Sequence, residues 1–532
     1  MISAVNSYEQ HVVARLLEFF GPAVHWNRSL WTIGTALALR EVLEASEAHR
    51  NGILGPDSLQ AVISTATRLM SRDPGCGDAN REVLQQSLNA TGSKAILRFE
   101  GLDYRVIEQI RDDINGQYLN RWATALRDPA TRPGPERAAR AIASHLLDLG
   151  FSRGFLHRWW TYQTKHDAME HALADLVSMA SRRSGEPLRK FEVLIAFPSR
   201  LEPSSKKGFT VPRRWLEAPS VSKWLTEHEF SVEDVKQLGG FLLEVIEPDP
   251  EAAAEAAAEI VDVFAARVLV SLNKQIRPLP RAWVAGTKKP FNINKPSRGV
   301  HVGAVHRENR VWLEFEADDI VDPAIELLAP LQSSSPSAAV AGGWAAIESL
   351  LSEPDNRAAA ADRLATIVAC SFPRAELTML SYAAQESTGE LADRLRITVE
   401  NRDRAVLVAD AILDDTFPEL DKASDVAATA RMRVVLSSPR PKLNEVQTYA
   451  ADTFRRLYRQ RNLVLHGGKT SAVALRASLR TAAPLVGAGI DRIVHARYVD
   501  KLRPLELAAR AKVGLGKIGP GRSETCVDLL GP

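Results

Sequence analysis

Residues 458–468 read YRQRNLVLHGG, and the helix that this stretch closes decides how the C-terminal region folds. Just upstream, SSPRPK (437–442) places two prolines where a helix interior cannot accept them, so the helix is expected to start near Lys442. Gly467 is the residue type favoured just past a helix end, so the helix is expected to stop there. At about 100° per residue, Arg455, Arg459, Asn462 and His466 fall on one polar stripe. Phe454, Leu457, Val464 and Leu465 lie largely away from it and are expected to face a core. Arg461 is about 140° from His466, but its long side chain can bend back toward the stripe.

This pattern suits phosphodiester chemistry. In the last turn the helix dipole favours the imidazolium of His466, whereas a nearby arginine disfavours it. A histidine titrating close to neutrality is what general acid–base work requires. Guanidinium groups grip a phosphate with parallel hydrogen bonds, and Asn462 can orient a water, a hydroxyl or the ring. Arg461, Asn462 and His466 are therefore the candidate catalytic residues. Arg455, Arg456, Tyr458, Arg459 and Lys469 are the candidates for holding RNA. No metal is needed if a ribose 2′-OH is the nucleophile, which restricts the substrate to RNA. Arg140 and His145 share the spacing, but an alanine follows that arginine and no arginine stripe flanks it.

Bulk properties agree with a soluble, multidomain chain. The 532 residues exceed the size at which one core stops growing. Apolar residues make up 45% and charged residues 25%. Cys76, Cys370 and Cys526 lie far apart and form no CxxC pair, which suits a reducing, cytoplasmic setting. Glu9, His11, Arg15 and Glu18 interrupt the first thirty residues, unlike a signal peptide. No long uncharged apolar run suggests a membrane span. Net charge is +2 but uneven: 17 Lys and Arg face 5 Asp and Glu from Arg431 to Lys512, a local +12 that leaves −10 for the rest. A basic segment on a mildly acidic body suits a polyanion partner.

Composition divides the chain. Residues 1–185 show three- and four-residue apolar steps, as in VVARLLEFF and TALALREVLEAS, and are expected to form a helical domain. Residues 188–330 carry short β-rich runs (FEVLIAFP, FLLEVIEP, RAWVAG, GVHVGAVH, NRVWLEFE) around the alanine-rich helix EAAAEAAAEIVDVFAARVLVSL, an α+β module. Residues 330–343 are Ser/Pro/Ala-rich and read as a linker. Helical periodicity returns to about residue 498, and 499–532 read as a loosely held tail. The fold class expected is mainly α with an α+β middle module and a C-terminal helical bundle.

The longer pattern Tyr458, Arg461, Asn462, His466, Gly467 resembles the HEPN superfamily, and the Apea-like HEPN proteins within it. WAAIESLLSEP (344–354) looks like that family's first helix, with Trp344, Glu348, Leu350 and Leu351 at the matching positions. RAAAADRLATIVACSF looks like its second. The resemblance covers roughly residues 338–498 and implies a small helical bundle, a metal-independent ribonuclease and a homodimer whose two motifs share one cleft. It gives Arg461 the scissile phosphate, His466 the acid or base role and Asn462 the orienting role, and it lets Glu348 pair with Arg461. Products would end in a 2′,3′-cyclic phosphate. Many such proteins act in toxin or phage-defence systems, with no cofactor. Residues 1–330 would then sense, recruit or restrain. The acidic run DAILDDTFPELD (410–421) does not map onto the bundle. The alternative reading is a non-catalytic RNA- or nucleotide-binding or dimerisation protein.

Other constellations carry less. His166 and His171 in HDAMEH are five apart, so their rings diverge, unlike the pair of HExxH. His301 and His306 sit at odd spacing on an expected strand, hence on opposite faces. Trp159 and Trp160 read as core aromatics. GxxxxGK[ST] is absent from the sequence, and a P-loop, a Rossmann unit or a hydrolase elbow is not expected.

Overall fold

The structure is a computed structural model describing residues 4–22, 24–89, 97–166, 172–199, 213–232, 235–294, 298–307, 320–354, 356–519 and 526–531. The chain is mainly helical with a five-stranded antiparallel sheet in its middle region, as the sequence predicts. It divides into two compact units. One holds residues 146–159 and 179–297, and the other holds residues 1–145, 160–178 and 298–532.

The smaller unit is built on the sheet. Its strands are β1 (Arg189–Phe197), β2 (Arg213–Glu217), β3 (Gly239–Glu247), β4 (Arg281–Val284) and β5 (Phe291–Asn292), ordered β2-β3-β1-β4-β5. Central β1 is apolar on both faces because both are covered. Val193, Ile195 and Phe197 pack with Ala253, Ala254, Ala257 and Val261 of the helix Pro250–Leu272. Leu194 and Ala196 pack with Val221, Trp224 and Leu225 of the helix Ala218–Glu227. Alanines let the long helix lie close to the sheet, and Asp249 fixes its start. That buried carboxylate accepts from the backbone N–H of Ser152, Glu251 and Ala252 and from the Ser152 hydroxyl, at 2.8–2.9 Å.

Two of the expected strands fare differently. GVHVGAVH is not a strand: residues Gly303–Arg307 form a short helix, preceded by irregular chain. His301 and His306 are both exposed. NRVWLEFE lies outside the described residues, as do Glu170 and His171 of HDAMEH.

In the larger unit the motif helix runs Pro439–Leu465. It starts three residues earlier than expected because Pro439 and Pro441 occupy its first turn, where a missing N–H costs nothing. It packs against the helices Pro336–Leu351, Ala359–Ala384 and Leu475–Tyr498. Trp344, Phe372, Phe454 and Leu457 are fully buried there. The stretch 330–343 is not a linker. It ends the helix Val321–Ser333 and begins Pro336–Leu351, with two serines between. Its alanines favour helix and Pro336 sits harmlessly at N1. Nor is 499–532 a loose tail. Pro504–Lys517 is a helix that buries Leu507, Ala508 and Ala511, and Val527, Leu529 and Leu530 are buried beyond it. The acidic run closes the helix Asn401–Leu413 and turns at Asp415, which pairs with Arg433 at 2.6 Å.

A buried ion cluster ties the first 145 residues to the C-terminal helices. Glu376, wholly buried, accepts from Arg28 Nε at 2.7 Å, Arg431 Nη2 at 2.5 Å and Asn27 Nδ2 at 3.1 Å. Glu136 receives Arg15 and Arg431 at 3.0 Å, His11 at 3.0 Å and Arg140 at 3.5 Å. Arg28 also meets Asp425 at 2.7 Å and Glu18 at 3.3 Å. Four arginines thus face four carboxylates. Burial alone would raise Glu136 and Glu376, but Arg15, Arg431 and Arg28 outweigh it and hold both carboxyls below their usual range. Arg140 belongs to this cluster, and His145 is buried against the Tyr118 ring at 4.2 Å. Burial pushes His145 down to about 3, so it is neutral in the folded protein.

Candidate functional site

The motif helix ends at Leu465, and His466 is its C-cap, its N–H donating to Asn462 O at 2.9 Å. The turn then closes backwards: Gly467 N reaches Asn462 O at 3.3 Å and Lys469 N reaches Leu463 O at 3.0 Å. Each glycine has its own reason. Gly468 takes a φ of +63°, a left-handed backbone. A Cβ on Gly467 would stand 2.7 Å from Leu463 O and 3.0 Å from Ile53 Cδ1. Gly467→Ala is therefore expected to cost about 1–3 kcal/mol in denaturant unfolding, and an unchanged midpoint would show that the turn yields freely.

The three candidate catalytic residues come together. Arg461 Nη1 donates to Asn462 Oδ1 at 2.9 Å and to His466 Nε2 at 3.1 Å. A guanidinium has no acceptor, so Nε2 must accept and the proton of the neutral ring sits on Nδ1. Asn462 is buried, Arg461 half-buried and His466 exposed. The bend-back expected of Arg461 is what brings its head to the imidazole. Val464 is buried as expected, but Leu465, also expected in a core, is 52% exposed beside His466.

The expected RNA-holding residues are engaged within the chain. Arg456 and Arg459 are buried, not on an open stripe. Arg456 Nε donates to both Glu41 oxygens at 2.9 and 3.1 Å, and Arg459 Nη2 donates to Glu41 Oε1 at 3.3 Å. Arg455 is exposed and pairs with Asp362 at 2.7 Å. Lys469 is half-buried and pairs with Glu47 at 2.7 Å. The Tyr458 ring lies 4.7 Å from that of Trp344. Glu348 does not meet Arg461. Its Oε2 accepts from Trp344 Nε1 at 2.8 Å, one helical turn away, and its Oε1 lies 3.4 Å from Arg357 Nε. Local geometry wins: Trp344 and Glu348 stand four apart on one helix face.

Arg357 was not singled out in the sequence. It is 69% exposed and joins the Glu348–Trp344–Tyr458 series that borders the motif. Only its charge, just ahead of the helix Ala359–Ala384, could have drawn attention to it. A groove of about 500 Å3 beside the C-terminal helix is lined by residues such as Arg510, Val513, Lys517 and Leu529, and by none of the motif residues.

Two short stretches match motif patterns in letters but not in setting. GFSRG (150–154) has the form GxSxG, yet it follows the helix Pro135–Asp148 rather than a strand, and the buried Ser152 hydroxyl is bound to Asp249 at 2.8 Å. GLGKIG (514–519) has the form GxGxxG, yet it closes the helix Pro504–Lys517 instead of opening one after a strand.

No family model, curated protein or solved structure matches the chain. No helix among the described residues is long and apolar enough to cross a membrane.

Proposed function

We propose that residues 338–498 form a HEPN-like domain, and that the protein is a metal-independent endoribonuclease acting in the cytoplasm as a toxin or anti-phage effector. The observation that carries this reading is the Arg461 guanidinium donating at once to Asn462 and to an exposed His466. His466 takes the proton of a ribose 2′-OH at Nε2 once Arg461 turns from that nitrogen to the phosphate, which frees its lone pair. Arg461 has further N–H groups for a non-bridging phosphate oxygen, where charge accumulates. Asn462 Oδ1 holds the guanidinium between the two tasks. The 2′-oxygen then bonds to phosphorus, the bond from phosphorus to the 5′-oxygen breaks, and the products are a 2′,3′-cyclic phosphate and a 5′-hydroxyl. The leaving 5′-oxygen needs a proton. One neutral imidazole cannot take and give a proton at the same instant, so a second copy of the chain supplies the acid and the site is a composite of two protomers.

One observation favours the alternative, a non-catalytic protein that dimerises through this helix end. Arg455, Arg456, Arg459 and Lys469 already have carboxylate partners, and exposed Leu465 offers apolar contact. Incubation with mixed RNA at near-neutral pH, with and without EDTA, separates the two. The nuclease reading expects equal cleavage in both. Cleavage lost with EDTA contradicts the metal-free mechanism, and no cleavage in either sample by a protein that sediments as a dimer favours the alternative.

A further inference from the structure

His466 is exposed, and among the described residues its ring is held only by Arg461. Its position therefore depends on its backbone, the last link of the motif helix, and on the turn that follows. That turn is held by one element far away in sequence, the helix Thr35–Arg50 and the loop after it. Three contacts do this. Lys469 Nζ pairs with Glu47 Oε2 at 2.7 Å, Val473 N donates to Glu44 Oε1 at 3.2 Å, and Ile53 fills the space beside Gly467. Glu41, Glu44 and Glu47 recur at three-residue steps and form one ridge. Its deep end, Glu41, holds the body of the motif helix through Arg456 and Arg459. Its outer end holds the turn. Burial raises the Glu44 carboxyl above its ordinary range, with Val473 N–H and Lys469 opposing. The ridge is thus well inside the protein at Glu41 and reaches the surface at Glu47, where Lys469 and Glu47 are about one-third exposed.

We propose that this N-terminal carboxylate ridge positions the motif, with Glu44 and Glu47 as positioning residues that set His466 against Arg461 by holding the turn 467–473. The catalytic readout of this proposal rests on the nuclease reading above. Positioning by charge has a distinctive signature: reversing one partner disturbs the site and reversing both restores it. A displacement of about 1 Å at a reacting group lowers turnover by up to about a hundredfold. Substrate binding changes much less when the groups moved do not themselves grip the substrate.

The test uses the full chain with histidine rings labelled for carbon–proton correlation spectra, the His466 signal being the one lost in His466→Ala. Glu47→Lys is compared with Glu47→Lys/Lys469→Glu, and Glu47→Gln stands in if the first variant fails to fold. The expected result is a shifted His466 signal and titration midpoint in the single variant. Its kcat for RNA cleavage falls about tenfold or more with KM within about twofold, and the swap restores all three. A folded Glu47 single variant with an unmoved His466 signal and unchanged kcat overturns the proposal. So does a swap that restores nothing. If the wild-type protein cleaves no RNA, the nuclease reading fails, and the ring signal alone then decides whether the ridge positions His466.

Discussion

His466→Ala is expected to abolish RNA cleavage while leaving the unfolding midpoint unchanged. The ring is exposed and, among the described residues, its hydrogen bond is to Arg461, so its loss leaves no cavity and no buried group unpaired. Without it no group accepts the 2′-OH proton, and loss of general base catalysis alone accounts for about 10²–10⁴-fold in rate. In a composite site the same substitution also removes the acid from the facing protomer, so the loss compounds toward background. Arg461→Lys should be nearly as damaging, because an ammonium cannot span Asn462 and His466 and still grip a phosphate. Comparison of single-turnover cleavage with circular dichroism melts checks both halves. Undiminished cleavage by a folded His466→Ala protein would remove the mechanism.

Glu376→Ala is expected to destabilise the larger unit by about 3 kcal/mol, since it leaves four arginines facing three carboxylates in a largely buried cluster. Glu376→Gln keeps the volume but not the charge and should cost a large part of that. The cluster also makes the fold acid-labile. Glu136 and Glu376 have folded-state pKa values below those of the unfolded chain. Their stabilisation is therefore complete above about pH 4.3, the unfolded value for Glu, and is lost as pH falls through the depressed folded values. His145, pushed down to about 3, acts in the same direction over a higher window. The unfolded chain takes up that proton from about pH 6.5 downward, so stability begins to fall there. Urea midpoints at pH 7, 5.5 and 4 should decline in that order. A Glu376→Ala protein as stable as wild type would show that the cluster relaxes at no cost.

The parts of the fold legible in the sequence are those with a local signature. The polar stripe and its two glycines mark the motif helix and its end. The run VLIAF marks β1 because both faces of that strand are covered. Pairings that join distant segments leave no such trace. Nothing around Glu41 indicates that it neutralises Arg456 and Arg459, more than four hundred residues on. The stripe was therefore legible as polar but not as buried. Nothing local to Arg15, Glu18, Arg28 or Glu136 marks them, yet they close a cluster with Glu376, Asp425 and Arg431. Composition misled at 330–343, where serines and prolines at a helix junction resemble a linker. It misled again at HVGAVH, where Val302 precedes a short helix and Val305 enters it. At the candidate site Arg461, Asn462 and His466 were legible from spacing. The carboxylates that hold the surrounding turn, Glu44 and Glu47, were not, because they lie on another helix.

The most direct measurement follows one RNA strand of defined sequence, cut by the protein in EDTA, beside the same strand with a single 2′-deoxyribose at the cleaved position. The account predicts that the all-ribose strand yields a 5′ fragment ending in a 2′,3′-cyclic phosphate and that the substituted strand stays intact at that position. Cleavage of the substituted strand at the same place, or fragments ending in 3′-hydroxyl and 5′-phosphate, would contradict it.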